Sequence, residues 1–238
     1  MIKIQIKEAA DILNARCTGC NRDNHITGVS IDSRSVTKNS LFIPIKGLNV
    51  NGHSFIKDAI KNGAAATLWN MDEPNPPGDI AVILVEDTVK GLQELSRYYR
   101  NKLNTKIVGV TGSNGKTSTK DITAAILSQK YKTQKTIGNY NTEIGVPFTL
   151  LSLDEDCETA VIEMGMEKKG EIEFLTDLVQ PDIAILTSVS SVHIDNFPSI
   201  EDIAKAKLEI VKGIKDGGLF IYFGDDSLIE KTLRDTEI

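Results

Sequence analysis

The stretch Ile107-Val-Gly-Val-Thr-Gly-Ser-Asn-Gly-Lys-Thr-Ser-Thr119 constrains this chain more than any other. An apolar, β-branched run enters a glycine-rich turn, and Lys116-Thr117 opens a segment with helical periodicity. Such a strand–loop–helix turns backbone N–H groups inward at the positive end of a helix dipole and adds an ammonium, which is what a polyphosphate requires. The expected nucleotide contacts are Thr111, Gly112, Ser113, Asn114, Gly115, Lys116, Thr117 and Ser118. Lys116 would reach the terminal phosphates and Thr117 would offer its hydroxyl to Mg²⁺. The generic pattern G-x-x-x-x-G-K-[ST] is missed by one position, because Val110 stands at the first glycine and Gly109 lies one residue early. A chance turn at a helix start explains the spacing poorly with a strand before it and a helix after it. The segment predicts binding of a nucleoside triphosphate.

From Lys106 onward strands and helices alternate. Strands are expected at Lys106–Thr111, Thr159–Gly165, Ile183–Val189 and Gly218–Gly224. Helices are expected at Lys116–Gln129, Gly170–Leu178, Ile200–Ile214 and from Ser227. Near-continuous Val, Ile and Ala strands separated by helices imply an α/β unit with a parallel sheet buried on both faces. The N-terminal part reads as a smaller α/β unit. It has strands at Met1–Ile6, Gly28–Arg34 and Leu41–Gly47, further apolar runs at Ala64–Trp69 and Ile80–Glu86, a helical turn or two at Lys7–Asn14, a helix at His53–Gly63 and helical periodicity over Thr88–Leu103. Met71–Gly78 holds three of the seven prolines and must be a loop. The boundary falls near residue 104, giving units 1–103 and 104–238. The second stops after about 135 residues, straight after a strand and a short helix, and so reads as incomplete.

The chain has 238 residues with 27 Lys+Arg against 33 Asp+Glu, a net charge of −6. An acidic balance argues against nucleic acid, which asks for a clustered basic face. No apolar run reaches the roughly 18 residues of a membrane span, and the N-terminus has no signal-peptide core. Three cysteines make no disulfide scaffold, and a reducing cytoplasm is the natural setting. Cys17 and Cys20 with His25 lack the second pair that structural zinc needs, and Cys157 has no evident partner.

Several polar residues admit two readings. Glu163 ends an apolar strand, where an acid can hold Mg²⁺ on ATP phosphates or be merely solvated. His193 follows a strand by a short loop, and a lone histidine is more often structural than a ligand. Lys207 sits in Ala-Lys-Ala-Lys, where the plain reading is an exposed charge. Lys205 lies about 200 degrees round the helix, so only one of the two can point inward. Asn139, Asn141, Thr142 and Glu143 crowd ahead of an apolar helix running to Leu151, and Asn141 or Thr142 could cap it. Asp32-Ser33-Arg34 could be a strand-end turn closed by an ion pair, and His53 a helix-start residue.

Thr-Gly-Ser-Asn-Gly-Lys-Thr resembles the ATP loop of the Mur ligase family, the ATP-dependent amide-forming enzymes of peptidoglycan precursor synthesis, whose loop also lacks the first glycine. Gly138-Asn-Tyr-Asn-Thr-Glu-Ile-Gly-Val-Pro147 is similar to the segment that marks the member adding D-alanyl-D-alanine. Val161-Ile-Glu-Met-Gly-Met166 with Gly170-Glu-Ile172, Ser190-Ser-Val-His-Ile-Asp195 and Ile203-Ala-Lys-Ala-Lys-Leu-Glu-Ile210 follow in the family's order.

The resemblance implies a monomeric, cytoplasmic ligase that uses ATP and Mg²⁺ to join UDP-N-acetylmuramoyl-tripeptide to D-alanyl-D-alanine through an acyl phosphate. It implies catalytic roles for Lys116, Glu163, His193 and Lys207. Thr117, Glu163, His193 and a carbamylated Lys207 would be metal ligands, though His is an unusual ligand for hard Mg²⁺. Asn139, Asn141, Thr142 and Glu143 would meet the muramoyl peptide, and Ser33, Arg34 and Lys46 the UDP-sugar. The family also has a C-terminal domain, expected to lie beyond this sequence, so the chain alone should turn over slowly or not at all. Phe223-Gly-Asp-Asp226 stands where relatives often carry Asn-Ala-Asp-Asp, and no role of that Asn carries over. The competing readings are a sibling ligase adding the third amino acid, a folate-type polyglutamate ligase, and an inert module that binds UDP-sugar or ATP.

Overall fold

The structure, a computed structural model, describes residues 1–20, 24–192 and 194–236. It divides into two compact units, one of Met1–Lys102 with Leu150–Glu155 and one of Leu103–Thr149 with Asp156–Ile238.

The first unit runs β1 (Ile4–Gln5), α1 (Ile6–Ile12), β2 (Arg16–Thr18), β3 (His25–Ile26), β4 (Val29–Ser30) and β5 (Ser40–Phe42). It continues with α2 (Ile56–Lys61), β6 (Ala64–Asn70), β7 (Ala81–Val85) and α3 (Thr88–Lys102). Its main sheet has the order β2-β7-β6-β5-β4, parallel except for the antiparallel β2–β7 pair, and β1 pairs separately with β3. Fully buried Ile6, Ile26, Leu41, Phe42, Leu68, Ile83, Leu92 and Leu95 supply the core.

Three expected strands are markedly shorter than the apolar pattern implies, and the one at Met1–Ile6 pairs only over Ile4–Gln5 before α1 opens at Ile6. The strand at Leu41–Gly47 ends at Phe42: Pro44 has no N–H to donate, and its carbonyl accepts from Thr88 Oγ1 at 2.6 Å. The strand at Gly28–Arg34 ends at Ser30, because Asp32 caps a 3₁₀ turn over Ser33–Ser35 by accepting from Arg34 N at 2.9 Å. The helix expected from His53 likewise begins as a 3₁₀ turn, Gly52–Phe55, capped by Asn51.

The second unit runs β8 (Lys106–Thr111), α4 (Lys116–Leu127), β9 (Thr133–Lys135), α5 (Gly145–Ser152), β10 (Thr159–Glu163) and α6 (Glu171–Val179). Then come β11 (Ile183–Leu186), α7 (Ile200–Leu208), β12 (Leu219–Tyr222) and α8 (Ser227–Asp235). The last turn of α5, from Leu150, clusters with the first unit. The sheet is wholly parallel, ordered β12-β11-β8-β10-β9. All five residues of β10 are buried, as a central strand covered on both faces requires. The helix expected over Ile200–Ile214 closes at Leu208 and tightens into a 3₁₀ turn, Glu209–Gly213. Strands β2, β3 and β9 have no counterpart in the sequence reading, since two or three mixed polar residues carry no periodicity.

Cys17 and Cys20 bring their sulfurs together across the Thr18–Gly19 turn. Cys157 is a buried thiol whose Sγ donates to Thr159 O at 3.1 Å. Among the described residues no helix is long and apolar enough to cross a membrane, and no cluster of three His, Cys, Asp or Glu gathers that could hold a metal ion.

Candidate functional site: a phosphate loop and its cleft

The carboxyl ends of β8, β10 and β11 meet at one edge of the parallel sheet, where ligands bind in open α/β folds. Thr111 ends β8 with its hydroxyl donating to Met164 O at 2.9 Å, which ties that strand to the residue after β10. Gly112 then takes φ +147, and a Cβ there would collide with Thr187 Oγ1. Gly115, at φ +81, turns the chain into α4. Both conformations favour glycine, one through close approach and the other through left-handed backbone.

The loop is held from the side by the residues after β11. Ser113 N donates to Ser188 O at 2.8 Å, Asn114 N to Ser188 Oγ at 3.1 Å, and Ser190 N to Ser113 Oγ at 2.9 Å. Thr187 Oγ1 donates to Asn114 O at 2.6 Å, and Asn114 Nδ2 to Ser190 Oγ at 3.1 Å. Lys116 folds over the turn, with Nζ donating to Gly112 O at 2.7 Å and Ser113 O at 3.2 Å. Ser118 lies exposed on the first turn of α4.

Glu163 closes β10 beside this loop, only 2% exposed. Its Oε2 accepts from Thr117 Oγ1 at 3.0 Å and lies 3.6 Å from Lys120 Nζ, while Oε1 accepts from Asn141 Nδ2 at 2.9 Å. Thr136 Oγ1 accepts from Glu163 N at 3.0 Å and fixes the strand end from the neighbouring segment. Asn141 therefore serves Glu163 rather than capping α5. Thr142 is the residue at that helix start, with its Oγ1 3.4 Å from Gly145 N.

A cleft of about 770 Å³ opens in front of the loop, lined by Gly112, Ser113, Lys116, Asn141, Thr142 and Glu143 together with the Gly165–Glu171 segment and Lys207. Asn139 is exposed on the turn before Asn141 and is not among the lining residues. Lys207 is buried at 3% exposure while Lys205 is exposed, so the two faces of α7 separate as the helical geometry requires. Burial, with Lys116 as a second cause, lowers the Lys207 ammonium from 10.5 to about 8. Burial also lowers Lys116, against the opposing pull of Glu163. Two desolvated amines facing one cleft make it a place for an anion.

The cleft wall is stapled by two carboxylates. Glu171 Oε2 accepts from Glu167 N at 2.6 Å and Lys168 N at 3.0 Å. Glu209, just past Lys207, accepts from Gly170 N at 3.0 Å and Glu173 N at 3.2 Å, which caps α6 from outside the helix. Burial pushes the Glu209 carboxyl up, against the backbone donors that hold its ionised form.

Lys120, Thr136, Thr187, Ser188, Glu171 and Glu209 were not singled out by the sequence reading. Only Lys120 had a local signal, since it lies four residues after Lys116 on the helix that the phosphate loop opens. His193 falls outside the described residues.

The first-unit candidates use their charges locally. Arg34 pairs with Asp32, its Nη2 2.6 Å from Oδ2, and that bond holds the carboxyl below its usual range. Lys46 faces Asp72 at 3.8 Å and Glu73 at 3.5 Å. Ser33 is buried in the 3₁₀ turn, where its carbonyl accepts from Asn62 Nδ2 at 2.8 Å. His53 is also buried, Nδ1 2.8 Å from Asn51 Oδ1, with Nε2 accepting from Asn70 N at 3.4 Å.

A family model described as "Mur ligase middle domain" matches residues 110–237, and one described as "Mur ligase family, catalytic domain" matches residues 25–100. The UDP-N-acetylmuramoyl-tripeptide--D-alanyl-D-alanine ligase of Bacillus subtilis is 45% identical over 231 residues, 97% of this chain and 50% of the relative. MurF from Acinetobacter baumannii superposes with a TM-score of 0.86 at 28% identity, covering 99% of this chain and 52% of that one. MurF ligase from Thermotoga maritima, solved in complex with ADP, superposes at 0.77 with 34% identity, covering 87% and 48%. The chain spans about half the length of the curated relatives it matches. Since the middle-domain match alone takes in more than half of its residues, phosphate loop and cleft included, the chain belongs to the Mur ligase family, among whose members it is similar to MurF.

Proposed function

We propose that this chain carries the nucleotide- and substrate-binding parts of an ATP-dependent amide ligase that joins UDP-N-acetylmuramoyl-tripeptide to D-alanyl-D-alanine. The observation that carries the reading is the Thr117–Glu163 contact at 3.0 Å beside the phosphate loop, two hard oxygen donors from α4 and β10 set together where a nucleotide's phosphates would lie. That donor set suits Mg²⁺, which takes one or two protein oxygens and completes its shell with phosphate and water. Bound there, the ion would neutralise charge developing on the transferring phosphoryl group.

The remaining work falls to the chain's own groups. Amides at the N-terminus of α4 would receive the phosphates, since those of Ser113 and Asn114 already donate to Ser188, and Lys116 would exchange its loop carbonyls for them. The tripeptide carboxylate would attack the γ-phosphorus, releasing ADP and giving an acyl phosphate. The amine of D-alanyl-D-alanine would then displace phosphate to form the amide. Thr142 and Glu143, which line the same cleft as Lys207, are the proposed peptide contacts, with Asn141 acting through Glu163. In the first unit Ser33, Arg34 and Lys46 are the proposed UDP-sugar contacts. Lys207, depressed to about 8, has an accessible neutral amine that would add CO₂ and release a proton, turning an ammonium into a carboxylate-like donor. His193 completes the proposed set of metal-side residues.

The T. maritima relative was solved with ADP, and this supports a nucleotide in the same loop here. Calorimetric titration with ADP and Mg²⁺ tests the binding, and loss of binding in Lys116→Ala is the expected result. Phosphate release that needs both UDP-N-acetylmuramoyl-tripeptide and D-alanyl-D-alanine tests the activity. Release with lysine, diaminopimelate or glutamate as the amine would reassign the chain to a sibling ligase, and binding without release would make it a binding module.

A further inference from the structure

Lys120 is a buried charge for which the phosphate-loop chemistry has no use. It lies one turn beyond Lys116 on α4, its side chain only 3% exposed, with Nζ 3.6 Å from Glu163 Oε2 and 3.6 Å from Asp121 Oδ1. Asp121 is engaged from the solvent side by Lys135 at 2.8 Å. The ammonium is thus held between an inner and an outer carboxylate. Burying a lysine so fully is costly unless its charge is matched, and the match here is the acid assigned to the divalent cation.

Glu163 is correspondingly crowded. A carboxylate offers about four acceptor positions. Thr117 and Lys120 approach Oε2, and Asn141 occupies one side of Oε1. This fixes the rotation of the carboxylate before any cation arrives and sets an ammonium beside the place a cation would take. In a poorly solvated pocket that charge opposes a bare divalent ion strongly, because the effective dielectric is far below that of water. Phosphate oxygens delivered by a nucleotide would supply the negative charge that reverses the balance.

We propose that Lys120 is a positioning residue for Glu163 that holds the carboxylate toward Thr117 and weakens its hold on a free divalent cation, so that the ion is retained together with nucleotide and poorly without it. The inference rests on the reading of Glu163 as the cation-holding acid.

The test is Mn²⁺ binding to the whole chain, followed by the paramagnetic resonance of the free ion, with and without ADP. Wild-type protein should bind Mn²⁺ alone weakly and ADP should tighten it markedly. Lys120→Met should bind Mn²⁺ alone at least about tenfold more tightly and gain less from ADP, since its repulsive charge is gone. Lys120→Arg should behave as wild type. Should Lys120→Met fail to fold, Lys120→Gln keeps a hydrogen-bond donor without the charge and should show the same tightening. Wild-type affinity for Mn²⁺ alone in a folded neutral variant, with Glu163→Gln losing the ion, would overturn the role of Lys120 and leave that of Glu163 standing. No Mn²⁺ retained with ADP, or retention unchanged in Glu163→Gln, would overturn both.

Discussion

In the second unit, the segment from Thr111 to Ser118 turns so that Gly112, Ser113 and Lys116 line a cleft, and a neighbouring loop grips that turn from the side. In the first unit, Asp32-Ser33-Arg34 is also polar, also follows a strand, and spends its charges on itself. The difference lies in where each side chain finds its partner. A carboxylate two residues from a guanidinium and from a bare turn amide satisfies both at once, so the motif closes locally. In the phosphate loop Lys116 folds back onto the carbonyls of Gly112 and Ser113, but Thr117, Ser113 and Asn114 find their partners on β10 and on the residues after β11. A motif that must reach to other elements for most of its partners is the better sign of a site.

That comparison can be broken by substitution. Gly112→Ala forces a Cβ into Thr187 and should cost about 2–4 kcal/mol in urea denaturation. The loss of ADP binding should follow, measured by calorimetry. Lys207→Met should change the pH profile of stability. The folded chain holds Lys207 near 8 and the unfolded chain near 10.5, so its contribution is fully present above 10.5 and is lost as pH falls through 8. The difference between wild type and variant should therefore shift by up to about 3 kcal/mol between those limits, read from denaturation at a series of pH values. Glu209→Ala leaves the amides at the start of α6 without an acceptor and should cost about 2 kcal/mol, with ADP affinity falling through the displaced cleft wall.

Arg34→Ala is the smallest change. The pair it breaks is solvent-exposed, so the thermal midpoint should stay within error of wild type. A fall in UDP-sugar affinity with that midpoint unchanged would place a ligand role on top of the local pair. A midpoint loss as large as that of Gly112→Ala would end the comparison.

The parallel sheet was legible because β8, β10 and β11 are continuous apolar runs whose length and composition suit only buried strands. The phosphate loop was legible because strand, turn and helix are neighbours in sequence. Glu163 could be placed at the sheet edge from its strand, yet its contacts with Lys120 and Asn141 could not, since they join α4, β10 and the turn before α5. Glu209 was invisible for the same reason: nothing in Lys-Leu-Glu-Ile announces that the acid caps a helix nearly forty residues upstream in the chain. The choice between Lys205 and Lys207 was set by helix geometry to one of the two, and packing alone decided which. In the first unit, the strands ended early wherever a proline or a side-chain cap competed with the ladder, and hydropathy does not record that competition.

The grip of Thr187, Ser188 and Ser190 on Asn114 and Ser113 has a consequence for kinetics. A turn already cast in its final shape surrenders little freedom when an anion docks, so arrival need not wait for the main chain to reorganise. Residence is then set by how fast the guest departs, and those three hydroxyl side chains govern the mould without belonging to its surface.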